Sequence, residues 1–499
     1  MPRHAPALTR RSFHLGAAAL GAASLAGPGF AQAPKTTLSV GMALEPPHLD
    51  PTAGAAAAIR EVTYANLFEG LTRMDRAGAI RPALAQSWTV SDDAKTYTFK
   101  LRPNARFHDG KPCEAADVAF SFARAVAPDS VNAQKALFEP IERVETPDPQ
   151  TVVLVLKRPT AHMPFNLAWG DMAIVGRDSA ANNRTNPVGT GPFRFVRWAK
   201  GDRVELARVE GAPVALTGVT FRFVSDPTAA AAALQAGDID AFPNLPAPEA
   251  LPGFKADPRF KVVVGTTEGE TLLSINNGKA PFSDVRVRRA LAHAIDRRAI
   301  VDGAMFGLGT PIGTHFAPHH PAYVDLVNAY PRDVARAKAL LAEAGLPNGF
   351  RTTIKLPPPT YARRGGEVVA QQLAEIGVRA ELVPVEWAQW LEGVFRNKDF
   401  DLTIISHTEP LDVEIYARDN YYFNYQGAEV RAAMTELAET VDEAKRNAIY
   451  ARIQRKITED SVNVFLFQLA KAGVWNARVQ GLWENSPIAA NDVTEARWA

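Results

Sequence analysis

Apolar positions alternate with polar ones at several places in the first half of the chain, and each such run predicts a half-buried strand. Residues 37–42 form one run, 95–101 another with Tyr97, Phe99 and Leu101 on one face, and 151–156 a third with Val152, Leu154 and Leu156. Between the last two, Val118, Phe122 and Val126 recur one turn apart and predict a helix over 115–127. Further strands are expected at 203–209, 219–224 and 260–264, with a helix at 228–236. From residue 276 the period changes. Helices at 284–304, 332–344 and 366–376 alternate with strands at 351–356 and 378–383, and Gly345 and Gly377 stand one step past the last periodic residue as helix stops. A long helical pattern over 430–457, broken near Asp442, precedes a strand of buried type at 462–467. Strand–helix alternation argues for an α/β layer structure in this half.

One turn sits between the two textures. Asn186-Pro187-Val188-Gly189-Thr190-Gly191-Pro192-Phe193 combines two prolines, which fix φ, with two glycines that permit φ > 0. It launches a strand through Phe193 and Phe195, and it lacks the Gly-Lys-Ser/Thr of a phosphate-binding loop.

The chain has 499 residues, more than one hydrophobic core usually serves, so two or three domains are expected. A formal net charge of +1 predicts no bulk attraction to nucleic acid or to an anionic membrane. The single cysteine, Cys113, rules out an intramolecular disulfide and reads as a small buried thiol. At the N-terminus, Thr9-Arg10-Arg11-Ser12-Phe13-His14-Leu15 has twin-arginine form and leads into an apolar run over 15–26, too short to span a bilayer. Residues 1–31 are therefore expected to be a signal peptide, cleaved after Ala31.

The turn at 186–193 resembles the signature of the peptide/nickel-type (family 5) solute-binding proteins of ABC importers. Four other stretches match that family in order. They are Asn66-Leu67-Phe68-Glu69-Gly70-Leu71; Phe107-His108-Asp109-Gly110-Lys111 with the run from Ala116 to Ser121; Pro281-Phe282-Ser283-Asp284-Val285 with Ala294-Ile295-Asp296-Arg297; and the run from Ala337 to Gly345. The resemblance implies an α/β, two-lobed fold of the periplasmic-binding-protein type (type II, cluster C) with an extra α+β domain inserted in the first lobe. The first lobe would comprise 32–58, 185–275 and 471–499, the inserted domain 59–184, and the second lobe 276–470. Two chain passages, near 274–278 and 468–473, would form the hinge. The function it implies is that of a periplasmic receptor, a monomer in solution, that holds a peptide or similar amine-bearing solute and hands it to an ABC permease and its ATPase subunits. No enzyme, nucleic-acid partner or cofactor is implied. The alternatives are a nickel or metal-chelate receptor of the same fold and an exported hydrolase using His407, Glu409 and Asp412 as acid/base groups.

Enzyme signatures are otherwise missing: there is no Gly-x-Ser-x-Gly, His-Glu-x-x-His or Cys-x-x-Cys. His315, His319 and His320 form the only histidine cluster in the sequence, and flanking prolines suit an exposed loop rather than a metal site. The informative segment is 400–412, an apolar strand ending in an acidic turn. In peptide-binding relatives the matching turn carries a tryptophan and, three residues on, an aspartate for the ligand's α-ammonium; here those positions read as His407 and Pro410, flanked by Glu409 and Asp412. Either acid suits an ammonium group. Tyr416, Tyr421, Tyr422, Phe423 and Tyr425 follow as the densest aromatic cluster, with Trp387 and Trp390 shortly before, and together they suit an apolar-walled cleft. Arg418, Arg396, Arg363 and Arg364 are the candidates for a ligand carboxylate. Trp169 is placed at the cleft from the inserted domain, and the side-chain-poor run 54–58, including Ala56 and Ala57, as a loop that lets a ligand approach.

Overall fold

The computed structural model describes residues 35–499 apart from Ala161, Pro410 and Val441; the expected signal peptide and its cleavage site lie outside the described residues. Three sheets organise the chain. The first has seven strands, in the order Phe260–Gly265, Lys471–Asn476, Ala241–Phe242, Thr37–Met42, Gly218–Phe223, Arg203–Arg208 and Phe193–Ala199. The second has six, in the order Thr310–Pro311, Val464–Gln468, Glu270–Ile275, Leu402–His407, Arg351–Leu356 and Arg379–Pro384. The third is an antiparallel four-stranded sheet of Ala85–Val90, Thr96–Leu101, Thr151–Leu156 and Ile141–Asp148. The helix Ala115–Val126 packs its Val118 and Phe122 into the same core as Tyr97, Phe99 and Leu154 of that sheet.

The first two sheets are the expected lobes, and the third is the expected insertion. One boundary moves. Glu270–Ile275, expected in the first lobe, lies in the middle of the second sheet, paired with Leu402–His407 on one side and Val464–Gln468 on the other. Its Leu273 and Ile275 are buried in that lobe's core, so the first chain passage runs through 266–269 rather than 274–278. The second passage, at 469–470, leads into Lys471–Asn476 and returns the chain to the first sheet. The start of the insertion also differs, because Val62, Leu67 and Phe68 pack into the first lobe's core beside Phe193 and Phe221.

The turn at 186–193 explains itself by contact. Its glycines are not in the positive-φ region, contrary to the expectation. They are required because a Cβ on Gly189 would lie 1.9 Å from the Leu67 carbonyl oxygen, and one on Gly191 would lie 2.3 Å from that of Asn66. The Gly191 amide donates to the Leu67 carbonyl at 3.0 Å and the Phe193 amide to that of Asn66 at 3.0 Å. His108 completes the knot. Its Nδ1 accepts from the Gly189 amide at 3.3 Å, and its Nε2 bonds the Gly191 carbonyl at 3.0 Å. Three of the five family-like stretches thus meet at one backbone crossing, where there is no room for side chains.

The pattern over 284–304 predicts one helix, and the structure has two, Val285–Ala294 and Arg297–Met305. Asp296 is extended between them and accepts from the Ala299 amide at 3.0 Å, so a cap outcompetes apolar periodicity. Arg288 and Arg297, within the same stretch, donate to the carbonyls of Ser461 and Phe465 and hold the last helix and strand of the lobe in place. Asp442 breaks the long helical pattern in the same way, capping Glu443–Glu459. No helix among the described residues is long and apolar enough to cross a membrane.

Candidate functional site

Parallel strands aim their carboxyl ends at one place, and α/β proteins bind ligands outside such ends. In the first sheet Thr37–Met42 runs parallel to Gly218–Phe223, and in the second Arg351–Leu356 runs parallel to Leu402–His407. The residues just past these ends, Ala43, Ser225, Pro358 and Thr408, line a single cavity of about 300 Å³ between the lobes. Ala55, Ala57, Ala58 and Glu61 contribute from the first lobe, and Gln134 from the inserted domain.

The second-lobe wall is aromatic. Trp387 begins a short helical turn that Glu386 and Gln389 cap reciprocally, and the chain then widens into a π-helical turn over Trp390–Arg396. Trp387 and Trp390 stack with centroids 5.3 Å apart and planes 8° from parallel. Trp390 is buried and donates its Nε1–H to Thr403 Oγ1 at 3.0 Å, whereas Trp387 is half-buried on the cavity side. Tyr421, Tyr422 and Phe395 continue the wall.

Behind it runs a chain of buried polar groups. Asp412 accepts from His315 Nε2 at 2.6 Å and from His407 Nδ1 at 3.1 Å. The other ring nitrogens are also engaged, His315 Nδ1 by the Tyr416 hydroxyl at 3.2 Å and His407 Nε2 by that of Tyr422 at 3.1 Å. Burial alone would raise the Asp412 pKa, but the two histidines hold its carboxyl well below the usual carboxylate range. Burial pushes His315 down. Glu270, next to His407 in the sheet, is pushed well above its ordinary value by burial and by the charges of Asp412 and Glu268. Among the described residues, His315, His407 and Asp412 are the one set of three groups able to hold a metal ion, with ligand atoms within 4.8 Å of one another.

His315 is therefore buried, not part of an exposed histidine loop, because Asp412 and Tyr416 supply its polar partners. It parts from its sequence neighbours: His319 bonds Glu268 at 2.7 Å, and His320 Nδ1 accepts from the Ala322 amide.

Of the residues singled out in the sequence, Glu409, Asp412, His407, Trp387, Trp390, Tyr421, Tyr422, Arg418 and Ala57 line the cavity. Tyr416 lies behind the wall in the core of the second lobe. Ala56 is buried and caps the helix Ala57–Thr63. Trp169 lines a separate small recess with Arg60, Asp171 and Glu409, and its buried Nε1–H has no partner among the described residues. Among the four candidate arginines, Arg418 alone reaches the cavity. It pairs with Glu414 and donates to Gln134 Oε1 at 3.2 Å, while its buried Nε–H is left over. Arg396 is exposed beside Glu392, and Arg363 and Arg364 are tied to Val385 and Glu249.

Two features escaped the sequence reading. Arg60 is buried between Asp171, at 3.3 Å, and Glu409, and only its place in an Ala-rich helix marked it in the sequence. Glu61, the next residue, lines the cavity, and its carboxylate has no hydrogen-bond or ion-pair partner among the described residues.

A family model described as bacterial extracellular solute-binding proteins, family 5 Middle, matches residues 79–428. Heme-binding protein A of Haemophilus influenzae is 33% identical over 362 residues, a match spanning 65% of this chain and 65% of that relative. Glutathione-binding protein GsiB of Pectobacterium atrosepticum is 30% identical over 475 residues, 90% of this chain and 91% of its own. Among solved structures, the PBP AgaA from A. tumefaciens R10, in complex with agropinic acid, superposes with a TM-score of 0.86 at 28% identity, covering 93% of this chain and 99% of that one. With five motifs in register, a two-sheet architecture and an interlobe cavity, this chain belongs to the bacterial extracellular solute-binding proteins of family 5.

Proposed function

We propose that this protein is the soluble periplasmic receptor of an ABC importer, exported through its twin-arginine segment, and that it captures a small peptide-like solute bearing an amine and a carboxylate. The observation that carries the reading is the interlobe cavity, whose volume of about 300 Å³ matches the small end of ligand pockets and whose walls combine stacked aromatics with converging charged and polar groups. Trp387, Trp390, Tyr421 and Tyr422 supply apolar area with polar tips. Arg418, the one candidate arginine that lines the cavity, takes the solute's carboxylate. Heme and glutathione, for which two relatives are named, and agropinic acid, with which AgaA was solved, all carry carboxylates, which suits a cationic anchor. Glu409, Asp412 and His407 form the acidic end of the same cavity, and Ala57 keeps its opposite wall shallow.

Closure of the lobes excludes water and strengthens these charge pairs, and the closed shape is what a permease would read. The receptor does no bond chemistry. Calorimetry with glutathione and tri-alanine, beside mass spectrometry of the recovered ligand, tests this. Saturable one-to-one binding with the ligand recovered intact is expected. Turnover of either compound, or no binding of either, would overturn the reading. Replacing Arg10 and Arg11 by lysine is expected to hold the protein in the cytoplasm.

A further inference from the structure

Four carboxylates line the cavity, and three are already engaged. Glu45 accepts from Trp198 Nε1 at 2.9 Å and from the Gly201 amide at 3.0 Å. Glu409 pairs with Arg60, and Asp412 with two histidines. Glu61 is the exception. It sits in the middle of the helix Ala57–Thr63, its backbone carbonyl accepts from the Asn491 amide at 3.3 Å, and its side chain meets the cavity with no partner among the described residues.

Two cations face it. Arg60 precedes it on the same helix and is committed to Asp171 and Glu409. Lys471, on the first-sheet strand Lys471–Asn476, is buried and donates to the Trp483 carbonyl at 2.7 Å, and neither cation closes an ion pair with Glu61. A part-buried carboxylate with an unfilled acceptor is a group awaiting a donor.

We infer that Glu61 is the anchor for the solute's ammonium group, and that it selects free amines over acylated ones. The inference rests on the receptor reading above and adds to it the residue that distinguishes ligands by charge. Burial pushes the Glu61 carboxyl up to about 7, against the opposing pull of Arg60 and Lys471. An arriving ammonium would stabilise the ionised form, so binding at or below neutral pH is accompanied by proton release.

The test compares tri-alanine with N-acetyl-tri-alanine on wild type, Glu61→Gln and Glu61→Asp, by calorimetry in buffers of different ionisation enthalpy. On wild type, tri-alanine is expected to bind at least tenfold more tightly than its acetylated form and to release protons at pH 6.5. In Glu61→Gln that discrimination and the proton release disappear, and Glu61→Asp restores part of both. Melting curves report whether each variant is folded. Equal binding of the two peptides by wild type, or equal weakening of both in Glu61→Gln, would overturn the inference while leaving the receptor reading intact. If wild type binds neither peptide, the inference falls, and if it also fails to bind glutathione the receptor reading falls with it.

Discussion

Arg60, on the first-lobe helix, and Glu409, on the second-lobe turn, form an ion pair across the cleft although 349 residues separate them in sequence. The same guanidinium reaches Asp171, so one buried cation ties both lobes and the insertion together. Removing it leaves two acids facing each other in a low dielectric. Arg60→Ala is expected to lose about 3–5 kcal/mol of stability, the usual cost of breaking a buried pair. Glu409→Gln, which keeps Asp171 as partner, should lose about 1 kcal/mol and increase the radius of gyration of the ligand-free protein. Urea denaturation and small-angle scattering measure the two effects, and an unchanged radius would mean that the pair does not bias closure.

The two stacked tryptophans should separate by function. Trp390 is buried and hydrogen-bonded, so Trp390→Ala is expected to cost about 3–5 kcal/mol. Trp387 faces the cavity, and Trp387→Ala should weaken tri-alanine severalfold with a stability loss of about 1–2 kcal/mol. Intrinsic fluorescence on titration with tri-alanine follows the Trp387 contact; equal stability losses in both variants would remove Trp387 from the cavity wall.

Stability should respond to pH in two opposite ways. Asp412 has a depressed pKa in the folded state, so its contribution is present above about pH 4, its unfolded value, and is lost as pH falls below that. Glu61 and Asp171 have raised values, about 7 and about 6, because of burial, so the folded state binds their protons more tightly. Stability therefore declines as pH rises from about 4 towards 7 through those two groups. Glu61→Gln should raise the melting temperature of ligand-free protein at pH 8 by about 1–3 °C and leave it nearly unchanged at pH 4. Asp412→Asn should flatten the acid limb. Calorimetric scans across pH 3–8 (about the range of these titrations) would show it.

Gly189→Ala and Gly191→Ala should each cost about 1–3 kcal/mol or prevent folding, because the new Cβ meets backbone oxygen, which cannot yield as a side chain can. Gly253→Ala is the control: its Cβ would meet nothing within 4 Å and it lies within the helix Leu251–Ala256. A change there within about 0.5 kcal/mol of zero, or a slight gain, is expected by chemical denaturation.

Most of the secondary structure was legible because burial on one face imposes a period, as in Tyr97, Phe99 and Leu101 or in Val152, Leu154 and Leu156. Lobe membership of Glu270–Ile275 was not, since a strand covered on both faces reads the same in either sheet. The acidic turn and its aromatic company stood out as a composition change at the end of an apolar strand. Who pairs with whom did not. His315 and Asp412 are 97 residues apart, and Arg60 and Glu409 are further still, so which carboxylates are spoken for depends on tertiary contacts alone. Glu61 was invisible for the same reason: an unpartnered acid is defined by its neighbours, not by its local sequence.

The two passages between the lobes are stitched to each other. The Leu469 amide donates to the Gly269 carbonyl at 2.6 Å, Gln468 Nε2 donates to the Thr267 carbonyl at 2.7 Å, and the Thr267 hydroxyl donates to the Leu469 carbonyl. Two independent tethers would let one body swivel and shear as well as tilt over the other. Clipped side by side they would act as a single axle, holding any swing of one jaw over the other to one arc, so that whatever entered the mouth would meet the opposite wall in a fixed register.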